Sequence, residues 1–259
     1  MFKEKFPVAW AYQKNTERTS TTLLSMDDKK IPEPAFKEYP GNAVTELPAP
    51  LVIKQSFSGV LNERKSCRNF SRDPLNIEIL STILYYGYGI KNKLYFNNTE
   101  FLERHVPSGG RLYSLELYLI IRNVSQVKPG IYHYFPLNHS LELISEINLP
   151  SYFISHLFLD QPYVASAGAH IIACSMQNRC MQKYEDRGYR YILFEAGHVF
   201  QNMNLCAAAL NTGALNLGGF YDGDVLNLLG IKDDSEVPLY GMALGAFDAG
   251  DIENVRGMY

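Results

Sequence analysis

KYEDRGYRYILFEAGHVFQNMNLCAAALNTGA, residues 183–214, is the most informative stretch of this chain. It predicts a long helix from about residue 188 to 210 that ends near Gly213. Apolar side chains lie on nearly every side of this helix, and such a helix is buried in a core or against another subunit. Lys183 and Tyr184 stand at its entrance, where both side chains can move protons if their pKa values are shifted.

Helices and strands are mixed in the rest of the chain. A helix is predicted at about residues 76–88, because Asn76 can cap it and apolar side chains recur on one face. The other predicted elements are strands at 115–124, 131–135 and 170–176, a short helix in GDVLNLLGI and a last strand in PLYGMALGAF. This order lacks a regular strand–helix–strand alternation, which favours an α+β fold over a doubly wound sheet.

The first 55 residues differ in character from the rest. They carry prolines at positions 7, 32, 34, 40, 48 and 50 and show little periodicity. We therefore expect an irregular, extended N-terminal arm over residues 1–55 and a folded domain over residues 56–259. Aromatic side chains such as Trp10 and Tyr12 indicate that the arm packs on something, since disordered tails carry few of them.

Composition and charge narrow the function. The chain has 259 residues with 46% hydrophobic and 20% charged residues, which suits a globular protein with a large core. A net charge of −3 gives no reason to expect binding to nucleic acid or a membrane. The four cysteines form no CxxC pair and no zinc-type spacing, so we expect free thiols and no metal site. Without a signal peptide or a spanning apolar run, the expected location is the cytoplasm.

Arg64, Ser66 and Arg68 form an R-x-S-x-R pattern. Residues two apart in an extended stretch point the same way, so two guanidinium groups and a hydroxyl can clamp a phosphate. A solvated basic turn before a helix is the commoner meaning of such a pattern. The residues alone leave both interpretations open.

Two glycine-containing loops are candidate ligand contacts. PSGG at 107–110 combines the Ser108 hydroxyl donor with glycines that let the backbone approach a flat ligand. LNLGGFYDGD at 215–224, expected between two helices, offers backbone N–H groups at Gly218 and Gly219. An ordinary turn and a helix connector are the commoner meanings of these two segments.

Lys183 and Tyr184 have a functional interpretation only in a partly desolvated site. Burial lowers the pKa of a lysine, and a nearby cation lowers the pKa of a tyrosine. An exposed pair is usually plain surface. Glu195, His198 and Asn202 follow one stripe of the long helix, where a buried network across a subunit interface is favoured over catalysis.

The order of these motifs carries more information than any one of them. R-x-S-x-R, LSTILYYGYG, PSGGRLYSLELY, GIYHYFPLNHSLELI and KYEDRGYR…FEAGHVFQNMNL…LGGFYD follow one another over residues 60–247. This order resembles the azoline oxidases (SagB-type dehydrogenases) among the nitroreductase-like flavoproteins. These enzymes serve thiazole- and oxazole-modified peptide pathways, such as those to microcin B17 and streptolysin-like toxins.

The resemblance implies a nitroreductase-like α+β fold, with a mostly antiparallel central sheet flanked by helices. It also implies an intertwined homodimer with FMN at the subunit interface. Carried over by motif, the FMN-contacting residues are Arg64, Ser66 and Arg68 at the phosphate and ribityl end, Ser108 and Gly109 along the flavin, and Gly218 and Gly219 near N5. Lys183 and Tyr184 match the Lys-Tyr motif implicated in azoline oxidation. Arg111 departs from the family, where a small residue often follows the two glycines.

The function implied by the resemblance is FMN-dependent oxidation of peptide thiazolines or oxazolines to thiazoles or oxazoles. Its partners would be an azoline-containing precursor peptide and a cyclodehydratase complex. Three alternatives stay open at this point: an NAD(P)H-dependent nitroreductase or quinone reductase, an oxidase of carrier-bound nonribosomal peptides, and a scaffold subunit that holds FMN only structurally.

Overall fold

A computed structural model of the chain describes residues 2–18, 36–96, 99–232 and 234–247. Its helices are α1 Phe2–Lys5, α2 Pro7–Asn15, α3 Phe57–Glu63, α4 Ile77–Tyr88, α5 Ser151–Leu157, α6 Gln177–Tyr184, α7 Asp186–Ala209 and α8 Asp222–Leu229. Its strands are β1 Val44–Glu46, β2 Ile90–Phe96, β3 Thr99–Arg104, β4 Leu115–Ile121, β5 Gly130–Phe135, β6 Ser140–Ser145, β7 Ala169–Ser175, β8 Gly213–Leu217 and β9 Val237–Gly245.

One seven-stranded sheet organises the molecule, with strand order β1-β6-β5-β4-β7-β9-β8. Every neighbouring pair in it is antiparallel, and β2 and β3 form a separate antiparallel hairpin. The predicted α+β fold with an antiparallel sheet between helices is confirmed. The strands predicted at 115–124 and 131–135 correspond to β4 and β5, which pair antiparallel.

The two faces of the sheet support two layers of helices. Alternate side chains of a strand point to opposite faces, so β4 contributes to both layers. Leu117 and Leu119 share a buried cluster with α4 and α7, whereas Tyr118 and Ile120 share another with α5 and α8. The candidate site described below lies on the side of α7.

Helix α4 confirms the prediction at residues 76–88. The Asn76 side chain caps it by accepting a hydrogen bond of 2.6 Å from the Glu78 N–H. Gly87 allows α4 to pack closely on α7, because a Cβ atom at this position would lie 2.6 Å from Cγ of Met203. Any larger residue at position 87 would therefore push the two helices apart.

Helix α7 confirms the predicted long helix, but only one of its sides is buried within the chain. Ile192, Val199 and Met203 are buried in the core. On the opposite side, Leu193 and Phe194 are 42% and 55% exposed. This exposed apolar side is the part of α7 that a subunit interface would cover.

Two sequence predictions are wrong in detail. Residues 2–15 are not irregular, since they form α1 and α2, and Pro7 is compatible with the first turn of α2. Gly218 and Gly219 do not connect two helices, because the strand β8 precedes them. The division into an arm and a domain stays a prediction. Tyr12 of the arm packs edge-on against Tyr189, at 6.2 Å between ring centroids.

β8 is the last strand of the sheet, and the R-x-S-x-R segment runs along its free side. The Cys67 N–H donates a hydrogen bond of 2.9 Å to the Ala214 carbonyl oxygen. All four cysteines are free thiols. Across the described ranges, no helix combines the length and the apolar character needed to cross a bilayer.

A buried ionic cluster lies on the face of the sheet opposite α7. His133 of β5 stands between two glutamates, with Nε2 at 2.9 Å from Glu116 and Nδ1 at 2.7 Å from Glu142. Ionised carboxylates only accept hydrogen bonds, and only a protonated imidazole donates from both nitrogens, so His133 is an imidazolium here. Arg179 of α6 supplies a second cation at 2.6 Å from Glu116.

Residues 37–39 cover this cluster from the side of the N-terminal arm. The Tyr39 N–H donates to Glu142 over 3.2 Å, and the Lys37 N–H donates to Glu116 over 3.2 Å. The Lys37 ammonium forms a salt bridge with Glu236, which is buried ahead of β9. The end of the arm is thus tied to the sheet by charged groups.

Candidate functional site

Lys183 and Tyr184 lie in the last turn of α6, directly against the PSGG loop. A Cβ atom built on Gly110 would lie 2.8 Å from the Tyr184 hydroxyl and 3.3 Å from Nζ of Lys183. A side chain at position 110 would displace the ends of this pair, and the φ of 64° there also favours glycine. Two motifs that are more than 70 residues apart in the sequence are therefore brought together.

The PSGG loop has an unusual backbone. Gly109–Arg111 is a single 3-10 turn, in which Gly110 has a φ of 64°. Arg111 and Tyr113 also have positive φ angles, 59° and 45°, which residues other than glycine seldom adopt. The positive φ angles of Arg111 and Tyr113 cost conformational energy, and strained backbone of this kind clusters at functional sites.

Glu195 of α7 is buried beneath this loop. Its carboxylate accepts hydrogen bonds from the Ser108 hydroxyl and, over 2.8 Å, from the Tyr88 hydroxyl. The Ser108 oxygen in turn accepts a bond of 3.0 Å from the Tyr113 N–H. Because the Ser108 proton is directed to Glu195, the loop would meet a ligand through its backbone N–H groups rather than through this hydroxyl.

The surroundings of Glu195 raise its pKa. Burial raises the pKa of Glu195, and the hydrogen bonds from Ser108 and Tyr88 and the charge of Arg104 reduce that rise without cancelling it. The Arg104 guanidinium is buried and lies 4.0 Å from the centroid of the Tyr88 ring. The buried Arg104 cation thus lies over the ring of Tyr88, which donates a hydrogen bond to Glu195 beneath the loop.

The predicted stripe on α7 is only partly confirmed. Glu195 is in a buried hydrogen-bonded network, but the partners come from its own chain. His198 is exposed, and Asn202 donates instead to the Tyr86 carbonyl oxygen over 3.3 Å. Among the described residues of one chain, these three side chains share no hydrogen-bonded network, and a network across a subunit interface stays a prediction.

The protonation expected of Tyr184 is reversed. The sequence suggested that a nearby cation lowers the pKa of Tyr184, and Nζ of Lys183 is indeed 5.6 Å from its ring centroid. Burial nevertheless raises the pKa of Tyr184, with further contributions from Cys180 and Tyr191. Tyr184 therefore keeps its proton at neutral pH. Lys183 is exposed in the single chain, so its desolvation would have to come from a substrate or a second subunit.

Arg64, Ser66 and Arg68 form a second group at the far end of α7. Arg64 ends α3 and is half-buried, whereas Ser66 and Arg68 are exposed. Within the ranges that the structure describes, the side chains of Arg64 and Ser66 make no hydrogen bond or ion pair. The Arg68 guanidinium lies 6.0 Å from the centroid of the Tyr163 ring. The Arg64 guanidinium and the Ser66 hydroxyl are donors of the kind that a phosphate needs.

Gly218 and Gly219 follow the other end of β8. A Cβ atom on Gly218 would meet the Tyr240 ring only at 3.8 Å, so there is space over this residue. On Gly219 it would lie 2.6 Å from Cδ1 of Leu159, so a larger residue would require that side chain to move. From Ala214, beside the R-x-S-x-R segment, to Gly218 the strand rises about 13 Å.

Within one chain the two groups of candidate residues are far apart. Tyr191 packs against Gly109, with its Cβ atom 3.4 Å from the position of a Cβ on that glycine. Helix α7 continues from Tyr191 to Ala209, a rise of about 27 Å, before the chain reaches β8. The sequence did not reveal this separation, nor the roles of Glu195, Tyr88 and Arg104 beneath the loop.

Sequence comparison agrees with this architecture. Residues 61–246 match the Nitroreductase family over most of the described sheet and helices. The chain belongs to this family. As a member of the nitroreductase family it is an oxidoreductase, and proteins of this family typically bind flavin.

Two relatives of this nitroreductase-family chain carry informative names. It is 34% identical over 200 residues to a protein of Methanocaldococcus jannaschii described as a nitroreductase, covering 77% of this chain and 96% of the relative. It is 28% identical over 206 residues to the microcin B17-processing protein McbC of Escherichia coli, covering 73% of each.

Solved structures show the same fold. A structure from Anabaena variabilis, described as a nitroreductase, has a TM-score of 0.74 and 26% identity over 92% of this chain. Our chain spans about half of that longer protein, 47% of its length. A chain of the Escherichia coli microcin synthetase McbBCD complex, solved with truncated pro-MccB17 bound, has a TM-score of 0.60 and 23% identity.

Proposed function

We propose that this chain is an FMN-dependent dehydrogenase that oxidises peptide thiazolines or oxazolines to thiazoles or oxazoles. The observation that carries the proposal is the packing of Lys183 and Tyr184 against Gly110 of the PSGG loop. The similarity to the microcin B17-processing protein supports the same substrate class. Incubation with a small azoline, followed by mass spectrometry for the loss of two hydrogens, tests it directly.

The residues present fit FMN. Arg64, Ser66 and Arg68 would hold the phosphate, and Gly218 and Gly219 would lie along the ring, at the two ends of β8. Ser108 and Gly109 would line the flavin from the PSGG loop. When bound, FMN supplies a two-electron acceptor for a hydride, with dioxygen as the expected final oxidant.

The protein then has to handle a proton. Converting an azoline to an azole removes a hydride and a proton from adjacent carbons. Tyr184 keeps its own proton because burial raises its pKa, so we assign the acceptor role to the amine of Lys183. Tyr184 would orient this amine or pass the proton on. Glu195 holds the loop on which these groups rest.

Arg64→Ala should weaken FMN binding by about 2 kcal/mol, or about 30-fold, because it removes a charge-assisted partner of the phosphate. Titration of apo-protein with FMN at fixed ionic strength measures this change. Lys65→Ala is the matched control, since Lys65 is an exposed neighbour whose ammonium lies 5.6 Å from the Phe247 ring centroid. A colourless protein that FMN cannot reconstitute would end the flavin proposal.

We also propose that the site is completed by a second copy of the chain. Within one chain, about 27 Å of α7 separates the Lys183–Tyr184 pair (the dyad) from the R-x-S-x-R segment that would bind the phosphate. Helix α7 also exposes two apolar side chains, Leu193 and Phe194. Gly197, one helical turn after Leu193, has no atom within 4 Å of a Cβ position and leaves a flat surface there. An isologous contact through this side of α7 would bring each dyad toward the partner's R-x-S-x-R group.

Phe194→Glu should therefore convert the protein from a dimer to a monomer in light scattering at micromolar concentration, because it places a charge at the centre of an apolar contact. Tyr152→Glu on α5 is the control, since Tyr152 is 77% exposed on another helix and should leave the mass unchanged. A wild-type monomer that is folded and carries flavin would contradict the interface.

Mixing two impaired variants, at an FMN concentration that fills the wild-type site but leaves the Arg64→Ala site largely empty, extends this test. If Arg64→Ala and Lys183→Ala chains exchange subunits, mixed dimers keep one intact site. About a quarter of wild-type activity should return, because half of randomly paired dimers are mixed and each has one of two sites. Activity that stays at the level of the separate variants would place both groups in one subunit's site.

The partners follow from the substrate class. The McbBCD structure contains bound pro-MccB17, so we propose a precursor peptide and a cyclodehydratase complex as partners of this chain. A cytoplasmic location remains a prediction. The similarity to the Methanocaldococcus jannaschii protein favours a second candidate, an NAD(P)H-dependent nitroreductase. Rapid bleaching of the bound flavin by NAD(P)H, with no azole formed, would select that candidate.

A further inference from the structure

Glu185, directly after Tyr184, has a backbone conformation that is nearly reserved for glycine. Its φ of 54° and ψ of −149° lie outside the regions open to residues with a Cβ atom. It stands at the junction of α6 and α7, where the chain ends one helix and starts the next. A glycine would adopt this conformation without strain.

The junction is held in place from several sides. The Glu185 N–H donates to the Met181 carbonyl oxygen over 2.7 Å, and the Gly188 N–H donates to the Glu185 carbonyl oxygen over 2.8 Å. The two helices are close here, since a Cβ atom on Gly188 would lie 3.0 Å from Cα of Met181. These contacts maintain the strained angles.

The side chain of Glu185 does not explain why a residue other than glycine is found here. Its side chain is 65% exposed, and its ion pair with Arg18 is long, at 3.4 Å. An exposed pair of this kind contributes little stability. What Glu185 adds to the junction, compared with glycine, is a backbone with fewer accessible conformations.

The strained backbone of Glu185 lies on one side of the Lys183–Tyr184 pair, and the strained backbone of the PSGG loop lies on the other. Gly110 and Arg111 have left-handed φ angles of 64° and 59°, and the Cβ position of Gly110 is 2.8 Å from the Tyr184 hydroxyl. Lys183 and Tyr184 therefore lie between two segments that each contain a left-handed residue other than glycine, Glu185 and Arg111. Strain that occurs on both sides of one pair of side chains points to a role in holding that pair.

We propose that Glu185 is a positioning residue whose restricted backbone keeps Lys183 and Tyr184 in register with the PSGG loop. This inference rests on the proposed function for its effect on rate. Because Tyr184 immediately precedes the strained residue, rotation about Glu185 changes the direction in which α6 ends and so displaces both side chains. A displacement of about 1 Å at a reacting group is enough to lower a rate by about 100-fold.

The substitution Glu185→Gly should raise thermal stability and lower the rate of azoline oxidation. Relief of the strain should raise the Tm by a few degrees, because it outweighs the extra freedom that glycine gives to the unfolded chain. The kcat for azoline oxidation should fall by about 10- to 100-fold with KM and FMN content little changed. Glu185→Ala is the matched control, since it keeps the Cβ atom and the strain while removing the carboxylate. It should retain the wild-type kcat.

A readout without turnover completes the test. Fluorotyrosine placed at position 184 should give one sharp ¹⁹F resonance in the wild-type protein and in Glu185→Ala, and a broadened or shifted one in Glu185→Gly. Unchanged ¹⁹F signals in Glu185→Gly, or an equal loss of kcat in Glu185→Ala, would overturn the proposal. If the wild-type protein oxidises no azoline, the proposed function fails, and the ¹⁹F comparison still decides whether Glu185 positions the pair.

Discussion

Lys183→Ala and Tyr184→Phe are each expected to lower the rate of azoline oxidation by roughly 10²- to 10⁴-fold, the usual cost of losing a general base or its partner. In the proposed reaction FMN would accept the hydride from the substrate, and the proton would need a protein group as its acceptor. No histidine belongs to a motif that we assign to the flavin pocket. The Lys-Tyr pair, with both polar ends at the Gly110 position, is the group in place to take the proton.

The loss should be confined to chemistry. FMN absorbance and the mass from light scattering should match the wild-type protein in both variants, and single-turnover mixing with an azoline should show the slower flavin reduction. Gln182→Ala, one residue earlier on α6, is the control and should react normally. Wild-type rates in both variants would refute the mechanism, and loss of FMN in either would make the residues structural.

His133→Ala should lower the free energy of unfolding by about 3–5 kcal/mol, because it removes a buried cation from between two carboxylates. Glu116 and Glu142 lie 2.9 and 2.7 Å from the ring nitrogens of His133 and would lose that partner together. Arg179 would still form an ion pair with Glu116. Glu142 would lose its cationic partner, so its carboxylate accounts for most of the expected destabilisation. Adding Glu142→Gln to His133→Ala should therefore restore part of the stability.

The pH dependence of this effect has a definite direction. Burial alone would lower the pKa of His133, but its hydrogen bonds to Glu116 and Glu142 raise it above the ordinary value of 6.5. Its contribution is therefore complete below pH 6.5 and is lost as the pH rises through the pKa of the folded state. For both glutamates, burial opposes ionisation, but the hydrogen bond from His133 outweighs it and holds the pKa below 4.5. Their contribution is present above pH 4.5 and is lost on acidification.

Urea unfolding of the wild-type protein and the variant, at one protein concentration and several pH values, measures the difference. The gap should be widest between about pH 4.5 and 6.5 and narrow on either side. His156→Ala, which removes an exposed histidine, should change stability by less than about 0.5 kcal/mol. A gap that grows steadily above pH 7 would show that His133 is neutral in the folded state.

The elements with a strong local pattern could be predicted from the sequence. The capped helix α4, the hairpin of β4 and β5, and the long helix α7 each depend on spacing within a short window. The sequence predicts a loop where β8 ends, because LNL is short and is followed by two glycines. The helices at residues 2–15 were missed because prolines suggested an irregular arm, although Pro7 is compatible with a first turn.

Residues of the candidate site that lie within one motif could be proposed from the sequence. Contacts between residues that are far apart in the sequence could not. Lys183 and Tyr184 were identified as a pair, but their contact with Gly110 depends on tertiary packing. His133 looked isolated in the sequence, because its two glutamates are cross-strand neighbours that only strand register reveals. The strain at Glu185 leaves no trace in residue type, since glutamate does not indicate a positive φ.

The R-x-S-x-R segment has a second consequence through its place beside β8. The outermost strand of a sheet offers unpaired backbone groups on which another chain can assemble, and such edges promote aggregation unless they are covered. Cys67 covers part of this edge through its bond to the Ala214 carbonyl oxygen. The segment that we assign to the phosphate thus also shields the sheet. Displacing the R-x-S-x-R segment would expose the backbone N–H and C=O groups at the outer edge of β8. We therefore expect variants that displace it to lose both solubility and bound cofactor.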